Sequence, residues 1–211
     1  MTTGIHNGTF ENLQLNAGAF LRNFDHSELD TAAAVKAAIA ALLENNDNDT
    51  LLGMTQGGGT FQCVPTMRNI EGDGLRAPHV GGTVNDGWSV KMTTTLKEIT
   101  PRNFKDALIS ADIETEGSKT IITPRTTIKE EDYIPKMSWV GDTSLGLLLI
   151  ELDNVLNTAG ATLTFTDKGE GTIPMELQAH HATATNQDEA PCRVIFLEDP
   201  APAANGDEPT A

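Results

Sequence analysis

A mainly β fold with some α, built as a β-sandwich or half-barrel with a packed helix, is the class this 211-residue sequence predicts. Three observations carry that reading. In residues 88–98, Trp88, Val90, Met92 and Leu96 alternate with Ser89, Lys91, Thr93, Thr95 and Lys97. Ile173, Met175, Leu177 and Ala179 alternate in the same way with Glu176 and Gln178. Period two with one apolar and one polar face is the pattern of a half-buried sheet. Third, hydrophobic residues make up 38% of the chain, below the usual share. That supplies one modest core, so residues 1–197 read as a single domain.

The elements follow in order. Residues 1–10 carry Gly, His and Asn without periodicity and read as an arm. Leu13, Leu15, Ala17 and Ala19 alternate within residues 12–24, which suits a strand. A helix is expected over residues 31–43, capped by Asp30, with Ala32, Val35, Ile39, Leu42 and Leu43 on one face. Its seven alanines between Ala32 and Ala41 add helix propensity, and the Asn45–Asp49 run of Asn and Asp ends it. Strands at residues 61–70 and 88–98 flank a Gly/Asp/Pro-rich connector, Glu71 to Gly87. A hairpin needs about 2–5 loop residues, so this connector reads as a functional arm, with Gly57, Gly58 and Gly59 as a hinge at its base. Thr100 as N-cap and Pro101 at the first helical position open a short helix through Phe104, Leu108 and Ile109. Further strands are expected at residues 119–128, 136–140, 145–153, 161–166, 172–181 and 193–197. Residues 198–211 hold Pro200, Pro202 and Pro209 among Ala, Asp and Glu, the composition of a disordered acidic tail.

Charge excludes some functions. Thirty acids against 14 basic residues give a formal charge of −16, and no basic run exists to release counterions from phosphates. Residues 197–211 hold four acids and no bases, so the body keeps −16 + 4 = −12. A protein of this balance repels nucleic acid. The N-terminus lacks a basic-then-apolar leader. The apolar runs, Leu147 to Ile150 among them, are far short of the ~18 residues of a membrane span. Cys63 and Cys192 lack metal-type spacing. They read as free thiols in a reducing cytoplasm, with a Cys63–Cys192 bridge as the less favoured alternative.

Motifs that promise chemistry fail on local physics. Gly72–Ala77 fits a dinucleotide fingerprint by spelling, but Pro78 and Gly81-Gly82 follow where a helix must begin. Asp47-Asn48-Asp49 suggests a calcium loop, yet the position that demands Gly is Leu52. His180 and His181 are adjacent on an expected strand and point to opposite faces. Gly57–Gly59 lacks the Lys-Ser/Thr of a phosphate loop, and no nucleophile elbow occurs. No catalytic, cofactor or metal residue is assigned, and no enzyme activity is expected.

An ordered series of short segments carries a resemblance. It runs from Asn16-Ala-Gly-Ala-Phe-Leu-Arg-Asn-Phe-Asp25 through residues 51–108, then Glu131-Asp-Tyr133, Trp139-Val-Gly141 and Leu163-Thr-Phe-Thr-Asp-Lys168. Together these span about residues 10–185 and resemble the tail tube (major tail) proteins of tailed bacteriophages and related phage-like particles. The resemblance implies a tail-tube type of fold in which subunits form hexameric rings around a continuous inner β-barrel, and rings stack into a tube. It implies a structural role in the virion tail, assembled in the bacterial host cytoplasm, with an acidic lumen that conducts DNA into the host. Its partners would be copies of itself and other tail proteins (terminator, tape measure, baseplate or tip), with genomic DNA in transit without tight binding. Glu71, Gly72, Asp73, Gly74, Leu75, Arg76, Gly81 and Gly82 would form the inter-ring arm, and Glu176 is the lumen candidate. Lys91 and Lys97 count against a wholly acidic wall unless nearby acids neutralise them. The alternative, from another class, is a secreted β-sandwich adhesin or carbohydrate-binding module. Aromatic residues at 5% offer few rings to stack on sugars.

Overall fold

Antiparallel pairing organises the chain, in strands that bury two hydrophobic clusters. The computed structural model describes residues 13–14, 16–165, 167–182 and 188–198. The expected arm at residues 1–10 and the tail from residue 199 lie outside the described residues. In chain order come β1 (Ala19–Arg22), α1 (Ala32–Glu44), β2 (Thr55–Asn69), β3 (Thr83–Leu96), α2 (Pro101–Ala107), β4 (Ala111–Glu116) and β5 (Lys119–Pro124). A 3-10 turn at Glu130–Asp132 precedes β6 (Ile134–Thr143), β7 (Gly146–Asn157), β8 (Ile173–Gln178) and β9 (Cys192–Glu198).

Strand order in the main sheet is β1-β6-β7-β8-β3-β2, and β9 pairs with β7 as well. β7 makes this possible because it is long. Its first half, Gly146–Leu152, pairs with β9 on one side and β6 on the other, while Leu156 and Asn157 pair with β8. One half of the sheet is therefore β1-β6-β7-β9 and the other β8-β3-β2. Val90, Met92 and Leu96 of β3, Met175 and Leu177 of β8, and Met137, Ile150 and Leu152 of β6 and β7 share one buried cluster. A second cluster lies under α1, where Ala32 and Val35 meet Leu21, Val140, Leu147 and Leu149. β4 and β5 form a separate hairpin. No described helix is long and apolar enough to cross a membrane.

Several expectations change. Thr31, not Asp30, caps α1: its side chain accepts from the Ala34 N–H at 3.2 Å. β1 covers only four residues, bounded by Gly18 and Asn23 with φ of 69° and 48°, and Phe20 and Leu21 are both buried, in different clusters. Leu15 lies outside the described residues. α2 stops at Ala107, and Ile109 turns the chain with φ 60°. The expected 119–128 strand is the second arm of a hairpin, ends at Pro124, and has a partner, β4, absent from the expectation. Residues 161–165 form no named strand: Thr164 makes an isolated bridge to Thr172, and Ala161 and Leu163 pack on the core. Glu198, read as tail, is the last residue of β9 and pairs with Gly146.

A buried polar hub fastens β1 to α2. Arg22 is 1% exposed; its Nε donates to Asp106 at 2.6 Å, its Nη1 to the Leu51 carbonyl at 3.1 Å, and its Nη2 to Asn103 Oδ1. Asn103 then donates to the carbonyls of Leu52 at 3.0 Å and Glu98 at 2.8 Å. Thr100 holds the hub's helix in place by capping Asn103 N–H. Burial pushes the Arg22 guanidinium below its ordinary pKa, and Asp106 opposes that shift.

Candidate assembly surface

The outer face of β2-β3-β8 follows directly from the period-two pattern. Val90, Met92, Thr94 and Leu96 turn inward and are buried. Ser89, Lys91, Thr93 and Thr95 turn outward beside Thr60 and Gln62 of β2 and Glu176 and Gln178 of β8. Cross-strand registers place Gln62 opposite Lys91, Lys91 opposite Gln178, and Thr93 opposite Glu176. Thr60 and Thr93 hydroxyls meet at 2.6 Å.

Glu176 and Lys91 are the charged residues of this patch, and they neutralise each other. Lys91 Nζ donates to Glu176 Oε1 at 2.6 Å, and Thr158 Oγ1 donates to the same oxygen at 3.0 Å. The Lys91 hydrogen bond, then that from Thr158, holds the Glu176 carboxyl below the usual carboxylate range. Nearby, Lys97 reaches Glu170 at 3.3 Å. The face is therefore polar and charge-balanced, with Lys91 and Lys97 each answered by a nearby acid. A depressed carboxylate pKa contributes stability above the unfolded value, near 4.5, and loses it as pH falls through the lower folded value. Glu176→Gln is expected to flatten stability against pH in that acid window by lowering stability slightly at neutral pH, where the carboxylate's contribution is present. Acid unfolding followed by circular dichroism checks this, and an unaltered acid slope would refute it.

Among the described residues, the β2 strand closes the face with an open edge. It pairs with β3 on one side and ends the strand order. The Gly57–Gly59 run is not a hinge beneath an arm but a bulge inside β2, where the register shifts between Thr55 and Gly59. Gly57 and Gly58 take φ of 76° and 72°, a region open to glycine. A Cβ on Gly59 would collide with the Thr93 carbonyl oxygen and crowd the Phe20 ring.

The connector is shorter than the sequence suggests, and the arm is longer. Thr83–Gly87 belong to β3, pairing down to Asn69–Thr83, so the loop proper is residues 70–82. β8 reaches β3 only at Lys91–Leu96. Beyond that point β2 and β3 form a two-stranded ribbon without a third strand. Arg68 braces it against Asp86 at 2.9 Å, and Thr83 Oγ1 donates to Asn69 at 2.9 Å. The predicted arm residues Glu71, Gly72, Asp73, Gly74, Leu75, Arg76, Gly81 and Gly82 all sit in the loop at its tip, with Gly74 and Gly81 at φ of 88° and 84°. Exposed apolar side chains gather there: Met67, Ile70, Leu75 and, fully open to solvent, Val80. A ribbon of two strands is marginal by itself, and one with an apolar tip is suited to a partner.

Other candidates resolve to structure. Asp47 caps its own turn through Thr50 and Asp49. His180 Nδ1 lies 3.0 Å from the Asn154 carbonyl, and its ring meets Tyr133 edge-on. Among the described residues no group of three His, Cys, Asp or Glu side chains could hold a metal. Sequence reasoning missed one feature. The Arg22–Asn103–Asp106 hub has no local signature, since its members lie 81 and 84 residues apart. Cys63 and Cys192 are free thiols that pack on the same core cluster. No protein-family model matches the chain, and a search of curated proteins finds no match.

Proposed function

We propose that this chain is the structural subunit of a phage tail tube: hexameric rings stack into a tube whose lumen conducts DNA into the host. The observation that carries the reading is the β2-β3-β8 sheet. It is apolar inside, polar and charge-balanced outside, and it ends in a 15-residue strand with one edge unpaired among the described residues. Open edges of this length invite pairing with another chain, and closing a ring removes them. A wall of threonines, glutamines and one neutralised ion pair would let a polyanion slide, because repeated attractive contacts would hold it. The excess of acid elsewhere, within the total of −16, repels DNA from the remaining surface. The ribbon tip, with its exposed apolar residues, supplies the contact between rings. Terminator, tape measure and baseplate or tip proteins would meet the ends of the tube. The subunit would be made in the bacterial host cytoplasm and carried in the virion tail.

Electron microscopy of the concentrated protein tests the proposal. Hollow tubes or rings are the expected result. Monodisperse small particles at all concentrations would overturn it and favour the β-sandwich adhesin or carbohydrate-binding alternative.

A further inference from the structure

We propose that the Asp73–Gly74 pair at the tip of the β2–β3 ribbon is a self-modification site, where aspartate isomerises through a cyclic imide to its β-linked form. The reaction needs an unengaged aspartate carboxyl, an unengaged amide nitrogen on the next residue, and no side chain there to block the approach. The tip supplies all three. Residues 71–80 are exposed throughout. The Leu75 N–H donates to the Gly72 carbonyl at 3.0 Å, closing a turn with Asp73 and Gly74 at its centre. Gly74 takes φ of 88°, the value glycine provides at the third position of such a turn, and the space where a Cβ would stand is empty to 4 Å. Among the described residues, neither the Asp73 carboxylate nor the Gly74 N–H makes a hydrogen bond or ion pair. A second Asp–Gly pair, Asp86–Gly87, lies within β3 and lacks this freedom. Arg68 Nε donates to the Asp86 carboxylate at 2.9 Å, and the Gly87 N–H donates to Asn85 Oδ1 at 3.2 Å. The same dipeptide therefore stands once free and once held on a single ribbon.

The Gly74 nitrogen attacks Cγ of the protonated Asp73 carboxyl. A C–N bond forms, and the carboxyl hydroxyl leaves as water with the amide proton. One water then adds back to the imide. Opening at Cγ restores aspartate. Opening at the main-chain carbonyl breaks the original Asp73–Gly74 peptide bond, and the chain then runs through Cβ and Cγ with the α-carboxylate as its side group. The net change is an isomerisation: one water leaves, one returns, and nothing is oxidised or reduced. The converted turn is one main-chain carbon longer, so the Gly72–Leu75 hydrogen bond no longer closes the same ring. Leu75, exposed at this tip, would then be presented differently to any partner.

This chemistry needs no assembly, so its test is independent of whether the chain builds tubes. The purified full-length protein is kept folded in warm, mildly acidic to neutral buffer and sampled over time. Trypsin then releases peptides 69–76 and 77–91, each with one Asp–Gly pair. Peptide 69–76 should split into the parent, a species lighter by one water, and a second form of parent mass that isoaspartyl methyltransferase labels from S-adenosylmethionine. Peptide 77–91 should convert at least about tenfold more slowly, the factor that about 1.4 kcal/mol of local ribbon opening supplies. In denaturant that difference should vanish. Asp73→Glu, whose carboxyl would have to close a larger ring, should leave peptide 69–76 unconverted. No conversion of peptide 69–76 in the parent protein, or equal conversion of the two peptides from the folded chain, would overturn the proposal. So would a difference that persisted in denaturant, because the fold would not be its cause.

Discussion

Arg22→Ala is expected to destabilise the fold by about 3–5 kcal/mol, the usual cost of removing one partner of a buried charge pair. Three groups would be stranded. Asp106, 6% exposed in its side chain, would keep a buried charge with only Arg102 at 3.6 Å to answer it. Asn103 Oδ1 would lose its donor, and the Leu51 carbonyl another. Each unsatisfied buried group costs roughly 1–3 kcal/mol, so the sum is consistent with the pair estimate. In a domain of this size, Tm should drop by about 6–20 °C. Arg68→Ala is the internal control. Arg68 pairs with Asp86 at 2.8 Å, but its side chain is 60% exposed, and such a pair is worth about 0–1 kcal/mol. Urea unfolding of the two variants side by side measures the contrast. If Arg22→Ala lost no more than Arg68→Ala, the hub would not hold β1 to α2.

Sequence pattern located what is local. The inward residues of β3 and β8 follow from alternation, the start of α2 from Thr100-Pro101, and the position of α1 from alanine-rich helical spacing. The faults lie where tertiary contacts decide. Thr31 wins the α1 cap because its side chain, one residue past Asp30, meets the Ala34 N–H. β1 breaks alternation because its two faces serve two cores, between the sheet halves and under α1. β4 was invisible because Glu114 and Glu116 face solvent in a hairpin that buries little. The strands of the ribbon run past the glycines that mark its ends in sequence, so the loop shrank to residues 70–82. The candidate surface was legible in part. Glu176 was placed on a polar face, as the pattern required, and its neutralisation by Lys91 depended on a register between strands 85 residues apart that no sequence window contains.

Replacing residues 70–82 with a four-residue turn is expected to leave the fold intact and abolish tube growth. The fold should survive because the loop's backbone bonds stay within it: Ile70 N–H to the Gly82 carbonyl at 2.7 Å, Leu75 to Gly72 at 3.0 Å, Gly82 to His79 at 2.9 Å. None reaches the core, and a tight turn can bridge the Asn69–Thr83 pair. Assembly should fail because Ile70, Leu75 and Val80, exposed by 53%, 49% and 108%, are removed with it. Fully burying an exposed aliphatic side chain is worth about 1.5–3 kcal/mol; with Ile70 and Leu75 already half-buried, the three represent roughly 3–6 kcal/mol per subunit before the cost of ordering the loop. In a proposed ring of six the contacts act together, and losing them lowers stacking far more than any single affinity suggests. Unfolding curves should therefore match the parent, while micrographs show isolated rings or small particles in place of tubes. Tubes of normal length from the shortened protein would show that ring stacking rests on another surface, and the ribbon tip would lose its assigned role.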